Sequence, residues 1–166
     1  MFTTLLMMTG LAQALTPAPP AKPSPTQTAL YNALKIRHEA PLCESLAELS
    51  DDLANDLVWL VDNAQRPPWV GIRAAQCVVR EHTDAKADTI DTWVSDPTYK
   101  GVAMLTFGLL DELPEAAAIR FTTIALESPL ADEARKRLAD SAHPSVVNLV
   151  KASPEDNSTK PAESTD

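Results

Sequence analysis

The strongest constraint on the fold is a proline that recurs at a nearly regular interval through the middle of the chain. Pro67, Pro97 and Pro129 are about thirty residues apart, and each precedes an apolar segment of helical length. The positions that align after each proline are Trp69/Tyr99/Ala131, Gly71/Gly101/Glu133, Ile72/Val102/Ala134 and Arg73/Ala103/Arg135. A period of this length is typical of helix pairs that bury their apolar sides on neighbouring pairs.

The segments between these joints predict an all-α fold. The chain has only four glycines in 166 residues, and no segment shows the alternation of Val, Ile and Thr that predicts strands. The expected helix pairs are 67–82 with 85–95, 97–112 with 114–127 and 129–141 with 144–152, preceded by a shorter pair at 41–49 and 51–64 and a lead-in helix at about 27–38.

Local start signals agree with these boundaries. Asp96 and Ser128 each precede a proline, which places a capping side chain at the N-cap and proline at the first helical position. Ser50 precedes the acidic segment "DDLANDL", and acids in a first turn interact favourably with the helix dipole. Three independent signals therefore fit one period.

The stretches "WVGIRAAQCVV" and "ADEARKRLADSA" resemble the HEAT or HEAT-like repeat, over roughly residues 41 to 152. The resemblance implies a short right-handed α-solenoid of antiparallel helix pairs that binds partners. It also implies that Arg73 and Arg135 are structural, bonding acids or carbonyls of a neighbouring repeat. The middle repeat departs from the pattern, because Ala103 stands where the arginine is expected. An irregular helical bundle is the alternative.

The two ends of the chain differ in composition from this repeat domain, 29–152. Residues 1–14, "MFTTLLMMTGLAQA", end in the small-x-small pattern of a signal peptide but lack a basic start. Residues 15–28 are rich in proline, which predicts an extended, disordered linker. Residues 153–166 are acidic and predict a disordered tail. The expected location is periplasmic or secreted, with the cytoplasm as the alternative.

The charge balance indicates the class of partner. The formal net charge of −9 disfavours nucleic acid, because phosphate binding needs a clustered positive field. The basic run 135–137 stands beside acidic residues, which indicates a local charge mixture. No segment has the roughly 20 apolar residues of a stable membrane span. We expect a protein partner, and charge complementarity with this acidic chain would favour a basic one.

Cys43 and Cys77 are the only two cysteines. An even pair after an export signal favours a disulfide. Helical projection directs Cys77 toward the preceding unit, where Cys43 lies, although a register shift is needed to bring the two Cα atoms within about 7 Å. Two buried free thiols, or a reactive thiol, are the alternatives.

The pattern His38-x4-Cys43 and Cys77-x4-His82 contains two cysteines and two histidines, the residue types that bind zinc. Residues five apart on a helix diverge by about 140°, so they cannot both reach one ion. We therefore predict no metal site and no cofactor.

Trp59 is the candidate partner-binding residue. On a helix over 51–64 it projects among acids that include Asp52 and Asp56, so an exposed indole there would be a partner-facing anchor. The alternative is that Trp59 packs against a neighbouring helix. Trp93 projects with an apolar stripe and is expected in the core.

No motif of a hydrolase, metalloprotease, redox dithiol or phosphate-binding loop occurs in the chain. The sequence therefore predicts a non-catalytic protein-binding or scaffold module of an exported protein, and not an enzyme. The alternatives are an enzyme-associated or lyase-like HEAT-repeat protein with a site in its groove, and a purely structural helical domain.

Overall fold

The computed structural model describes residues 22–38, 41–64 and 66–153. The predicted signal peptide, residues 15–21 of the predicted linker, and the tail from residue 154 lie outside the described residues. Within the described ranges, all regular secondary structure is helical, which confirms the all-α class. The α-helices are α1 (Pro25–Leu34), α2 (Leu53–Asn63), α3 (Trp69–Glu81), α4 (Ala87–Ser95), α5 (Lys100–Leu109), α6 (Glu115–Leu126), α7 (Ala131–Leu138) and α8 (Pro144–Ala152), and the 3₁₀ helices are Cys43–Leu49, Pro97–Tyr99 and Leu110–Glu112.

The first helix begins earlier than the sequence indicated. The predicted linker extends to residue 28, whereas α1 begins at Pro25. Ser24 caps the helix by accepting the backbone N–H of Gln27 at 3.1 Å, and Gln27 accepts the backbone N–H of Ser24 at 2.8 Å. This capping box satisfies two N–H groups and stabilises a helix start within a proline-rich stretch.

The cap predicted at Asp96 is present, whereas those predicted at Ser128 and Ser50 are not. The N-cap of α7 is Leu130 and that of α2 is Asp52, and neither side chain makes a capping hydrogen bond. Asp96 accepts the backbone N–H of Thr98 at 2.8 Å, at the start of the 3₁₀ turn that leads into α5. Ser128 accepts the backbone N–H of Leu130 at 3.0 Å, just before α7. Each side chain fixes the direction in which the chain enters the next helix.

Successive helices lie side by side in a regular order. The 3₁₀ helix at 43–49 contacts α3, α3 contacts α5, and α5 contacts α7. Behind this row, α1 contacts α2, α4 contacts α6, and α6 contacts α8. We call the first series the front row and the second the back row, which is interrupted between α2 and α4. Consecutive helices pack as α2 on α3, α4 on α5 and α6 on α7, whereas the predicted pairs α3 with α4 and α5 with α6 make little direct contact.

One hydrophobic core runs between the rows from Leu30 to Val146. Trp93 on α4 is 1% exposed and Phe121 on α6 is fully buried, which confirms the prediction that Trp93 is a core residue. Helix α5 contacts α3, α4 and α7, in agreement with a sequence that is apolar nearly all round. The core is continuous because each helix contributes to the interfaces on both sides of it.

The described helices are short. The longest, α3, has 13 residues and is about 20 Å long at 1.5 Å per residue. Among the helices of the described ranges, none is both long and apolar enough to cross a bilayer.

Candidate functional site

An open cleft lies where the end of α2, the middle of α3 and the start of α5 meet. Its volume is about 400 Å³, at the lower end of the roughly 300–1,000 Å³ range of ligand sites. The cleft is lined by Val61, Asp62, Ile72, Thr98, Tyr99, Gly101 and Val102. Three α-helices and the 3₁₀ helix Pro97–Tyr99 supply these residues, so the cleft exists only in the folded chain.

The rim of the cleft is set by the turn that begins at Asp96. The Asp96 carboxylate accepts both the backbone N–H and the hydroxyl of Thr98, each at 2.8 Å. The backbone hydrogen bond and then the hydroxyl lower the pKa of Asp96, so this carboxylate stays charged at neutral pH. The turn brings Thr98 and Tyr99 to the edge of the cleft, facing the end of α2.

Tyr99 and Asp62 are joined across the cleft. The Tyr99 hydroxyl donates to Oδ1 of Asp62 at 2.9 Å. This hydrogen bond, partial burial and the charges of Asp62 and Asp96 raise the pKa of Tyr99. The phenol is therefore protonated at neutral pH and acts as a donor, which makes it unsuited to the role of a general base.

The carboxylates at the cleft have no cationic partner among the described side chains. Neither Asp62 nor Asp96 forms an ion pair with a described residue. Lys100, which directly follows Tyr99, pairs with Glu133 on α7. The rim of the cleft is therefore negative at neutral pH.

The remaining lining is apolar and open. Val61, Ile72 and Val102 give the cleft a hydrocarbon surface. Gly101 is exposed, and a Cβ built on it would meet only Ile72 Cδ1, at 3.6 Å. An apolar surface beneath a charged rim suits an amphipathic side chain, with its stem on the hydrocarbon and its head at the rim.

The predicted binding residues of α2 are placed elsewhere and engaged within the fold. Trp59 is half-buried and packs against the core, so the packed alternative describes it better than an exposed anchor. Asp56 accepts from Gln27 at 2.9 Å and from Ser50 at 2.7 Å, tying α1 to α2. Both oxygens of Asp52 accept from Asn55 at 2.8–2.9 Å. The structure does not bring these three residues into the cleft.

Arg73 on α3 donates to the end of α1, which lies earlier in the chain than α2. Its Nη1 donates to the carbonyl oxygens of Leu34 (2.8 Å) and Ile36, and Nη2 donates to that of Arg37 (3.2 Å). Carbonyl groups at a helix C-terminus lack intrahelical partners and carry partial negative charge, so a guanidinium there satisfies both needs. Arg73 thus has a structural role of the kind that the resemblance implies.

Arg135 on α7 occupies the matching register position near the other end of the chain. Its Nη1 donates to Asp132 at 2.8 Å, and its Nη2 donates to the hydroxyl of Ser153 at 3.1 Å, just after α8. Arg135 therefore joins α7 to the end of α8.

Cys43 and Cys77 form a disulfide in the structure, with 5.3 Å between their Cα atoms. The two residues meet because the 3₁₀ helix that begins at Cys43 packs directly on α3, which carries Cys77. The two sulfur atoms are bonded to each other, so neither residue is a free thiol. In the described parts of the chain, no three His, Cys, Asp or Glu side chains are placed to hold a metal ion.

Sequence reasoning did not predict the cleft. Tyr99 and Gly101 stood out only as aligned positions of the repeat, with no binding role assigned to either. Asp62 is 37 residues from Tyr99, and it stands on the polar side of α2 with no local signal of its own. The two residues meet because α2 and α5 both pack on α3, which brings the 3₁₀ turn before α5 to the end of α2.

Comparison with models of protein families, with characterised proteins and with solved structures finds no match to this chain. The assignment of function therefore depends on the geometry described above.

Proposed function

We propose that this chain is a non-catalytic protein-binding module, and that it binds its partner at the cleft between α2, α3 and α5. The observation that carries the proposal is the combination of an open cleft, an apolar floor and the Asp62 carboxylate at its edge, which has no described cationic partner. Small-molecule sites bury about 70–90% of their ligand, whereas Asp62, Thr98 and Gly101 of this cleft are all exposed. Such an open site suits a segment of a larger molecule.

We propose that the helices form a HEAT-like, right-handed solenoid of antiparallel pairs, as the sequence resemblance implies. In a solenoid each repeat contacts only its neighbours, and grooves between repeats present the binding surface. The ordered contacts within and between the two rows fit this description, and so do the starts of α3, α5 and α7 at Trp69, Lys100 and Ala131, about thirty residues apart.

The disulfide supports location in an oxidising compartment. Disulfides persist in secreted and periplasmic proteins and are rare in the cytoplasm. Together with the export-like pattern of residues 1–14, the Cys43–Cys77 bond favours a periplasmic or secreted module.

Quantitative co-purification of the full chain from its native cells tests the proposal. Gly101→Leu would fill the cleft, because an added Cβ at that position has only the tip of Ile72 nearby. Gly108→Leu is the matched control, since Gly108 is an exposed glycine on the same helix with nothing within 4 Å of an added Cβ. We expect a protein partner that the wild type and Gly108→Leu recover and that Gly101→Leu loses.

Two results would contradict the proposal. One is recovery of the same partners by all three proteins, which would place binding outside the cleft. The other is recovery of no protein by any of them together with turnover of a small molecule, which would favour the alternative of a lyase-like repeat protein with a groove site.

A further inference from the structure

The ends of α1 and α2 each accept a hydrogen bond from the aromatic residue at the start of a later front-row helix, through a backbone carbonyl in one case and a side-chain carboxylate in the other. Trp69 at the start of α3 donates from Nε1 to the carbonyl oxygen of Lys35, the C-cap of α1, at 3.2 Å. Tyr99, just before α5, donates to Asp62 in the last turn of α2. Trp69 and Tyr99 also align in the repeat register, so the two places are structurally equivalent.

At the first of these places the chain supplies its own arginines. The guanidinium of Arg37 lies over the ring of Trp69, with Cζ 5.9 Å from the ring centroid. Arg73, four residues after Trp69, donates to the last carbonyls of α1. The aromatic ring and the negative end of α1 are therefore both covered by positive charge.

At the second place the arginines are missing. The position that matches Arg73 is Ala103, which is buried and carries no charge. Among the described residues, no lysine or arginine side chain donates to the last carbonyls of α2, and none lies over the ring of Tyr99. What stands there instead is the cleft, with the Asp62 carboxylate at its edge.

We propose that the cleft receives an arginine side chain of the partner protein, which replaces in trans the arginines that cover the end of α1. The guanidinium would lie at the Tyr99 ring, donate to Asp62 and face the C-terminal end of α2. The aliphatic stem would lie on Val61 and Ile72. Arginine fits better than lysine because its planar head can donate two hydrogen bonds to one carboxylate and stack on an aromatic ring.

The chemistry of Asp62 fits this role. One oxygen, Oδ1, accepts from Tyr99, and a carboxylate has about four acceptor positions. The Tyr99 hydrogen bond holds the carboxylate in place and leaves Oδ2 and a lone pair of Oδ1 for a guanidinium. The net charge of −9 adds a general attraction for a basic partner.

The inference rests on the proposed function and is tested apart from it with a small probe. The isotope-labelled full chain is titrated with N-acetyl-arginine methylamide, and its amide resonances are followed by NMR. N-acetyl-citrulline methylamide, which has the same shape without the charge, is the control probe. We expect saturable shifts centred on Asp62, Thr98 and Gly101 with the arginine probe, at millimolar affinity, and none with citrulline.

Variants of the chain separate the cleft from the general acidity of the protein. Asp62→Asn keeps an oxygen that can accept from Tyr99 and removes the charge, so the arginine probe should bind roughly three- to tenfold more weakly. Asp84→Asn removes the same charge from an exposed position outside the cleft, and we expect affinity within about twofold of the wild type, since screening weakens distant surface charges.

Two outcomes would overturn the inference. Equal weakening by Asp62→Asn and Asp84→Asn would mean that the probe senses only net charge. Shifts scattered over other acidic surfaces, or absent altogether, would mean that the cleft has no arginine site. If the cleft-dependent partner of the co-purification experiment is found while the probe fails to bind, the proposed function survives and the arginine inference falls.

Discussion

Arg73 on α3 donates to the carbonyl oxygen of Leu34 at 2.8 Å, which joins the third helix to the last turn of the first. The same guanidinium also reaches the carbonyls of Ile36 and Arg37. One half-buried side chain thus holds together two helices that are nearly forty residues apart in the sequence.

We expect Arg73→Ala to lower the free energy of unfolding by about 1.5–3 kcal/mol. The substitution removes charge-assisted hydrogen bonds and leaves the carbonyl oxygens at the end of α1 without their donor. Arg73→Lys should lose less, since it keeps the charge but not the fork. The control is Arg80→Ala, which breaks an exposed ion pair with Glu112 and should cost about 0.2–1 kcal/mol. Urea unfolding of the three variants measures these differences. Equal losses for Arg73→Ala and Arg80→Ala would refute the structural role of Arg73.

The disulfide should stabilise the chain by about 2–4 kcal/mol, because it closes a loop between residues 34 apart in sequence. The double variant Cys43→Ala/Cys77→Ala should unfold at correspondingly lower urea concentration. Intact-mass measurement after alkylation without reductant should show no thiol adducts on the protein purified from its native cells. Two adducts per chain under denaturing conditions would show two free thiols and would contradict the Cys43–Cys77 disulfide.

Asp56 should make stability depend on pH in the acid range. Partial burial alone raises the pKa of this carboxyl, but hydrogen bonds from Ser50, Gln27 and Thr26 together outweigh burial and lower it. A lowered pKa in the folded state means stability that is present above the unfolded pKa and is lost as pH falls below about 4.

The measurement is the free energy of unfolding between pH 6 and pH 3 for the wild type and Asp56→Asn. The wild type should lose more stability over this interval than the variant, so that their difference shrinks as pH falls. A difference that stays constant with pH would contradict the role of the charged carboxylate.

Trp59 on α2 and Trp93 on α4 should differ in their contribution to stability. Trp93 is almost fully buried, so Trp93→Ala should cost about 3–5 kcal/mol. Trp59 is half-buried against the core, so Trp59→Ala should cost about 1–2 kcal/mol. Thermal and urea unfolding of both variants measure these two stability losses. If Trp59→Ala loses no stability, Trp59 is not packed against the core, and it becomes a candidate partner-binding residue again.

Gly108→Ala should stabilise α5 by about 0.5–1 kcal/mol, because alanine restricts the unfolded chain and the added Cβ meets nothing within 4 Å. Gly101→Ala should stabilise by a similar amount, since its only near neighbour is at 3.6 Å. Destabilisation by Gly101→Ala alone would show that the start of α5 tolerates no side chain, and would weaken the use of Gly101→Leu as a cleft-filling variant.

Local signals in the sequence predicted most of the helices. Asp96 and Ser128 are each followed by a proline, which indicated the starts of α5 and α7 to within a few residues, although only Asp96 is a cap. The start of α1 was not, because the Ser24 capping box lies inside a proline-rich stretch whose composition favours an extended linker. Trp93 could be assigned to the core because its apolar neighbours recur at helical spacing on the same short helix.

The cleft could not be predicted in the same way. It depends on the contact between Tyr99 and Asp62, two residues on helices that neither follow each other nor share a pattern. The sequence did show that Ala103 breaks the arginine pattern of the repeat. That break gains significance from the structure, because Arg73 covers the end of α1 whereas no described arginine or lysine covers the end of α2.

Photo-crosslinking in native cells is the most direct test of the claim that this cleft binds a protein. A benzophenone amino acid is placed at Thr98, on the rim of the cleft, or at Gly108 near the far end of α5, about 15 Å away at 1.5 Å per residue. The account predicts one discrete protein adduct from position 98, lost when Gly101→Leu is added, and none from position 108. Adducts of equal yield from both positions, or from neither, would contradict it.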